Sequence, residues 1–419
     1  MSTIHRTDST EWNGRARPLV VVVGAGIVGI AQAWAAARRG CRVVVLERDA
    51  RARGASIRNF GMVWPIGQSN GPAYRAALRS RALWQELIEQ SGVWGSRCGS
   101  LHLAYREDEL AVLSEFARLA PALGYDCQLL TPEAVQELSP AARRPGLLGA
   151  LSSRTEMCVD PREVIQNAPT WLAETYDVQF RYGAKVQSLY NGRVTVADGE
   201  HILADQVIVA AGADLRDFYP ELYRHAGFQR CKLQMLRTAP QPAGWRLGPM
   251  LAGGLTLRHY AAFGICRTLS ALKERIEAET PELNRFGIHV MASQNGLGEV
   301  ILGDSHEYHD DASPFDKAEI DELMLRELRK MIELPDWTIR ERWHGVYVKA
   351  PDTIQLDAQP EPGVRVAIAS GGAGMTMSFG LADEYWEREM GPPLSPTPSA
   401  AHSPQHIANG AAFDGAATS

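Results

Sequence analysis

Between Leu19 and Val23 the chain places five apolar residues in succession, then breaks into Gly24-Ala25-Gly26-Ile27-Val28-Gly29. A short β-branched run bounded by glycine predicts a buried strand. The stretch from Gly26 to Arg39 is rich in alanine and predicts a helix, ended by Gly40 at the position glycine favours. Arg42 to Glu47 predicts a second strand. Apolar spacing predicts further helices over 73–91, 107–122 and 161–175, the last opened by Asp160 as cap and Pro161 in the first turn. From 177 to 210 the pattern is of strands turned at Asn191-Gly192 and Asp198-Gly199, closing with a buried strand over Asp205–Ala210. Residues 229–310 read as mostly β, with alternation around Leu233–Leu236 and Glu299–Leu302. Asp316 to Leu334 predicts an amphipathic helix, and Val364–Ala369 a buried strand that runs into Gly371-Gly372-Ala373-Gly374 and a last helix. Residues 1–17 are polar and expected to be loose. The Pro-, Ser-, Ala- and Gly-rich stretch 392–419 is expected to be a disordered tail.

At 419 residues the chain has room for about two domains. A net charge of -6 supplies no basic surplus for a nucleic-acid partner. The six cysteines (Cys41, Cys98, Cys127, Cys158, Cys231, Cys266) form no C-x-x-C pair, which argues against a zinc site or a thioredoxin-type pair. No metal is expected, and reduced thiols suggest a cytoplasmic protein. Arg15 and Arg17 before an apolar stretch reaching Ala35-Ala36-Ala37 have the outline of a signal peptide. The three glycines within that stretch and the second strand after it favour a folded domain instead. No run is long and apolar enough to be a transmembrane segment.

Gly24, Gly26 and Gly29 between a strand and a helix carry the strongest chemical signal. The first allows a tight turn, the second lets a pyrophosphate approach the backbone, and the third lets helix and strand pack closely. The helix N-terminus adds free N–H groups and a partial positive charge. Glu47, at the end of the second strand, is placed to accept both ribose hydroxyls and to repel a 2′-phosphate. Two later segments favour FAD over NAD. Val207-Ile208-Val209-Ala210-Ala211-Gly212-Ala213 is a strand ending in a small-residue turn. Ala369-Ser370-Gly371-Gly372-Ala373-Gly374-Met375-Thr376 is a strand, loop and helix start whose positive end can face a reduced flavin ring.

These glycines, Glu47, the stretch Gly54-Ala55-Ser56-Ile57-Arg58-Asn59-Phe60-Gly61, Asp160-Pro161, Ala211-Gly212 and the late glycine-rich turn resemble the D-amino-acid oxidase/glycine oxidase/sarcosine oxidase superfamily over about 18–391. The resemblance implies an α/β protein: a Rossmann-type FAD-binding domain from 18–88, 149–224 and 337–391, and an α+β substrate domain from 89–148 and 225–336 with a large mixed or antiparallel sheet. It implies C–N oxidation by hydride transfer to flavin N5, hydrolysis of the resulting imine, and reoxidation by oxygen or another acceptor. Cofactor contacts are expected at Gly24, Ala25, Gly26, Ile27, Val28, Gly29, Glu47, Arg48, Ser56, Arg58, Asn59, Gly61, Met62, Val186, Ala211, Gly212, Gly372, Ala373, Gly374, Met375, Thr376 and Met377. Met375 and Met377 are expected to pack by their side chains and to meet the flavin through backbone. No catalytic side chain beyond the flavin is expected. A cysteine as covalent attachment point stays open, as does a flavoprotein without turnover.

Amino-acid oxidases of the superfamily often carry Trp-x-Gly-x-Arg-Pro late in the chain, with the arginine on the substrate carboxylate. Here the segment is Trp343-His344-Gly345-Val346-Tyr347-Val348-Lys349, so Tyr347 replaces the arginine and a bidentate clamp is lost. Ser56-Ile57-Arg58-Asn59-Phe60-Gly61-Met62-Val63-Trp64-Pro65-Ile66-Gly67-Gln68 resembles a branch associated with phosphonate breakdown. That implies 2-aminoethylphosphonate or its N-methyl form as the small amine substrate, giving phosphonoacetaldehyde. Glycine, sarcosine or a D-amino acid is the alternative. Candidate substrate contacts are Arg258, His259, Tyr260, His306, Tyr347, Lys349 and Trp64. Each has an ordinary reading too: solvated charges for Arg258 and Lys349, structural histidines for His259 and His306, and core filling for Trp64.

Overall fold

The computed structural model describes residues 11–12, 15–309, 311–350, 353–369 and 371–394. Its first layer is a six-stranded sheet in the order Gln179–Tyr182, Arg42–Glu47, Leu19–Val23, Gln206–Val209, Val364–Ala369, Gln355–Glu361. The first five strands run parallel and the last is antiparallel. The valine-rich strands are buried on both faces, as a parallel sheet requires. One face packs on the helices Ile27–Ala37, Pro161–Tyr176 and Gly374–Met390. The other meets the three-stranded meander of Val186–Tyr190, Arg193–Val196 and His201–Leu203.

The second layer is a nine-stranded sheet. It runs Glu307–Tyr308, Gln229–Pro240, Glu299–Gly303, Met291–Gln294, Met250–Ala252, Ser100–Ala104, Gly149–Ser153, Cys127–Leu130, with Ile339–Lys349 also paired to Gln229–Pro240. All its pairings are antiparallel except that of Met250–Ala252 with Ser100–Ala104. The helices Glu107–Leu119 and Ala318–Met331 cover the core of this layer.

Several expectations change. Residues 229–310 are not mostly β, because Leu269–Glu279 and Pro281–Arg285 are helices. Leu269, Leu272 and Ile276 are buried at three- and four-residue spacing, a helical stripe that the alternation on either side obscures. Strands Gly149–Ser153 and Ile339–Lys349, expected in the FAD-binding unit, are hydrogen-bonded into the large sheet instead. Of the N-terminal segment expected to be loose, Glu11–Trp12 pairs with Arg15–Ala16, and Arg17 Nε donates to the Gly40 carbonyl at 2.7 Å. The expected disordered tail lies outside the described residues from 395 on. Within its start, Leu394 N donates to Arg38 O at 2.9 Å.

A buried ionic knot joins the turn after the helix Ile27–Ala37 to the helices Pro72–Ser91 and Gly374–Met390. Asp383 accepts from Arg39 Nη1 at 2.8 Å and from Arg79 Nε at 2.8 Å, and Arg39 is 1% exposed. Burial alone would raise the Asp383 carboxyl, but hydrogen bonds from Arg39 and Arg79 hold it below its ordinary range. Asp383→Ala leaves Arg39 buried and unpaired, which costs about 3–5 kcal/mol for a broken buried pair. The urea midpoint should fall accordingly. In the native protein this contribution is complete above the ordinary carboxylate pKa and is lost as pH falls through the lowered folded value. The midpoint gap between the native protein and Asp383→Asn should therefore narrow in acid.

Candidate active site

The strand Leu19–Val23 ends at Gly24, whose φ of +103° is a left-handed turn that suits glycine. A Cβ there would stand 2.7 Å from the Ala210 carbonyl oxygen. At Gly29 a Cβ would stand 1.9 Å from the Gly24 carbonyl oxygen, so the first helix rests directly on the turn. Gly26 caps this helix, and its first turn carries no acidic residue. Ser56 Oγ lies 3.0 Å from where a Gly26 Cβ would be and accepts from Ile27 N at 2.9 Å. Glu47 closes the turn: Oε2 accepts from Ala25 N at 3.0 Å and Oε1 from Asp49 N at 3.1 Å.

From this turn a cavity of about 1360 Å³ runs to the face of the large sheet. That exceeds the usual range for one drug-sized ligand, roughly 300–1000 Å³, and leaves room for a dinucleotide with a small substrate. Of the expected cofactor contacts, Gly24, Gly26, Ile27, Val28, Glu47, Arg48, Ser56, Arg58, Asn59, Met62, Val186, Ala211, Gly212, Gly372, Ala373, Gly374, Met375 and Thr376 line it. Ala25, Gly29, Gly61 and Met377 are not among its lining residues. Ala25 and Gly29 shape the turn from behind. Gly61 packs on Val159, where a Cβ would meet the carbonyl oxygen at 1.9 Å. Met377 is fully buried among Ala73, Ala76 and Ala77, the side-chain packing expected of it, and it does not line the cavity.

The loop after the second strand is held by Asn59. Its Nδ2 donates to the Ala55 and Ser56 carbonyls, both at 3.0 Å, while Oδ1 accepts from Gly61 N at 2.8 Å. Arg58 Nη1 donates to His344 O at 3.2 Å, and Trp64 N donates to Thr376 Oγ1 at 2.9 Å. Loop, large sheet and last helix are thereby fixed to one another. Arg48 pairs with Asp214 at 2.8 Å beside the dinucleotide end.

All seven expected substrate contacts (Arg258, His259, Tyr260, His306, Tyr347, Lys349 and Trp64) line the other end of the same cavity. Tyr347 lies against the late turn, with its ring carbon 3.2 Å from where a Gly372 Cβ would stand. Trp64 and Tyr260 pack with ring centroids 6.1 Å apart, and both press on Gly67. Lys349 Nζ donates to Tyr308 Oη at 3.1 Å. Arg258 Nη2 donates to Ile288 O at 2.8 Å, and burial lowers its pKa. Burial, followed by Cys231 and the Tyr308 phenol, raises the Tyr347 hydroxyl well above its usual value, so it is a donor here.

Two residues that sequence reasoning passed over stand among them. His289 and Asp304 line the cavity, joined by His289 N to Asp304 O at 3.2 Å and Asp304 N to His289 O at 2.8 Å. The hairpin Met291–Gln294/Glu299–Gly303, extended past its open end, was the signal that would have brought them together. Burial pushes His289 well below its usual pKa, takes His306 down to about 4 and raises Asp304 well above the carboxylate range. The six cysteines are free thiols, and among the described residues none lines the cavity.

The turn, the acid behind it and the late glycine-rich helix start define a dinucleotide site of flavoprotein type. The family described as FAD dependent oxidoreductase (DAO) matches residues 20–388, and the chain belongs to it. Glycine oxidase of Geobacillus kaustophilus is 26% identical over 204 residues, covering 46% of this chain and 54% of that protein. The chain spans about half the length or less of the first sequence relatives it matches. Among solved structures, L-proline dehydrogenase from P. horikoshii superposes with a TM-score of 0.68 at 21% identity, covering 88% of this chain and 92% of that one. Glycine oxidase from G. kaustophilus superposes with a TM-score of 0.68 at 19% identity, covering 89% and 95%. These likenesses establish the fold. Among the described residues no helix is long and apolar enough to cross a membrane.

The residues present fit FAD: Gly26 keeps the pyrophosphate face bare, and Glu47 stands where the ribose hydroxyls would come. Glu47→Ala removes a charged acceptor from two backbone donors and from that ribose. With hydrogen bonds to charged groups worth about 1.5–3 kcal/mol, FAD affinity should fall roughly tenfold to a hundredfold. The ratio of flavin to protein absorbance after gel filtration would show the loss, and full FAD retention would contradict the assignment.

Proposed function

We propose that the protein oxidises the C–N bond of a small amine bearing an acidic group, and that a phosphonate is the preferred acidic group. The observation that carries this reading is the continuity of the cavity from the Gly24–Gly29 turn to an end lined by Arg258, Tyr260, Tyr347 and Lys349. When bound, FAD supplies the oxidising power, taking up a hydride equivalent and leaving an imine that water hydrolyses.

The chain's own part is to bind, orient and dry the substrate. Lys349 and Arg258 bring positive charge to the far end, and the Tyr260 and Tyr347 hydroxyls add donors. A phosphonate offers three oxygens to such a set, whereas the single planar clamp that suits a carboxylate is missing at Tyr347. Trp64, Met62 and Leu233 supply apolar wall, which excludes water from the reacting carbon. The segment from Ser56 to Gln68, whose likeness suggested a phosphonate, contributes Ser56, Arg58, Asn59, Met62, Trp64, Gly67 and Gln68 to this cavity. Its reading as a cytoplasmic enzyme of phosphonate breakdown, using oxygen or another acceptor, belongs to the same proposal. A second reading, glycine or sarcosine as substrate, is favoured by the sequence match to a glycine oxidase.

Anaerobic bleaching of the flavin band, near about 450 nm, separates the two when N-methyl-2-aminoethylphosphonate and sarcosine are compared. Bleaching by the phosphonate alone is expected, and bleaching by sarcosine alone would overturn the phosphonate assignment. The neutral amine is the reactive form, so bleaching should speed up with pH through the amine's pKa, and a flat profile would count against it. Lys349→Met should lower kcat/KM for the phosphonate by roughly tenfold or more, since a hydrogen bond to a charged group is worth about 1.5–3 kcal/mol.

A further inference from the structure

The far end of the cavity also holds three histidines, two of them among the expected substrate contacts, to which the proposed substrate orientation by Arg258, Tyr260, Tyr347 and Lys349 assigns no role. His259 follows the turn Gly254–Arg258, His289 precedes the strand Met291–Gln294, and His306 follows the strand Glu299–Gly303. Three separate elements thus bring three imidazoles together. Their ring centroids are 4.0 Å (His259–His289), 4.5 Å (His259–His306) and 4.9 Å (His289–His306) apart. One ring nitrogen from each lies within 4.8 Å of the others.

Ordinary buried histidines have their nitrogens hydrogen-bonded. His289 is 3% exposed, yet neither ring nitrogen has a hydrogen-bond partner within the chain. Its Nε2 lies 3.2 Å from Asp304 Oδ1, an ion-pair distance, and that oxygen also lacks a hydrogen-bond partner. Close approach without hydrogen-bond alignment is how two ligands of one cation sit. At His306 the Nδ1 stands 3.1 Å from the Gly287 carbonyl, which can only accept, so Nδ1 carries the hydrogen. Its Nε2 therefore presents a lone pair, 3.7 Å from Asp304 Oδ2. A lone pair facing a carboxylate needs a cation between them, either a proton or a metal. An imidazole fixed by a backbone carbonyl on its far nitrogen is also the usual preparation of a metal ligand.

We infer that His259, His289 and His306, with Asp304 beside them, form a binding site for a divalent metal of the zinc class, open on one side to the cavity. Three imidazoles and an open position match the donor set of a catalytic zinc site. Metal–nitrogen bonds of about 2.0–2.1 Å require the three rings to draw together slightly when the ion enters. The borderline nitrogen donors favour Zn²⁺, Co²⁺ or Ni²⁺ over Mg²⁺ or Ca²⁺, which prefer all-oxygen sites. The open position would take an anionic oxygen as exchangeable ligand, and that second step rests on the proposed function.

The test uses the FAD-loaded protein, stripped with a chelator and titrated with Co²⁺ and then Zn²⁺. One Co²⁺ per chain should bind with a visible d–d band beyond the flavin envelope, and one Zn²⁺ should displace it. His289→Gln and His306→Gln should each lose the band and most of the bound metal while keeping the flavin spectrum. No saturable uptake by the native protein, or unchanged uptake in both variants, would falsify the site, and the native measurement decides even if a variant fails to fold. Inorganic phosphate added to the Co²⁺ form should shift the band. A band that phosphate leaves unmoved removes the exchangeable anion from the inference. Turnover of the phosphonate by metal-free protein overturns a metal role in substrate binding but leaves the proposed function standing, whereas metal uptake with sarcosine turnover alone does the reverse.

Discussion

The backbone contact between the first helix and the end of the first strand is the constraint on which the remaining geometry depends. With a Gly29 Cβ placed 1.9 Å from the Gly24 carbonyl oxygen, only a bare Cα lets the helix seat there. Seated so, the helix directs its N-terminus at the cavity and keeps the turn within reach of Glu47. Gly24 meets a similar limit against Ala210, which ties the turn to the fourth strand of the sheet. Two glycines therefore set the distance between three elements, and overpacking at either would be felt at the cavity before the core.

The second end of the cavity is built on a different principle. Here the large sheet supplies a rigid floor, and functional side chains come from its strand ends and from loops that cross it. Tyr347 and Lys349 belong to an eleven-residue strand paired along its whole length with Gln229–Pro240. His289, Asp304 and His306 sit just beyond the ends of a hairpin. The two ends are locked together by Arg58 on His344 and Trp64 on Thr376, so a substrate held by the sheet has a fixed position relative to the dinucleotide turn.

Local features were legible in the sequence, and long-range ones were not. The glycine turn, its flanking strands and the Asn191-Gly192 hairpin are written within a few residues each, because turn sterics and β-branched runs act locally. Glu47, Trp64, Tyr347 and Lys349 fall in short readable motifs, whereas Arg258, His259, Tyr260 and His306 were named only as candidate donors; all eight line the cavity. The strand Ile339–Lys349 was placed in the wrong layer because its partner lies about a hundred residues earlier, and register across that distance leaves no local mark. The helix Leu269–Glu279 did carry its own periodic stripe, which the strands around it masked. His289 and Asp304 are isolated residues in sequence, and only the closing of a hairpin over the cavity gives them neighbours.

On the proposed function, a carbon–hydrogen bond next to nitrogen is broken at the donor-rich end of this cavity, with the electrons passing to bound FAD. The most direct measurement is single-turnover anaerobic bleaching at saturating amine, comparing substrate with hydrogen and with deuterium on the carbon that bears nitrogen. Bleaching several-fold slower with deuterium is the result this account predicts. Equal rates for the two isotopic forms, or no bleaching by any amine, would contradict it.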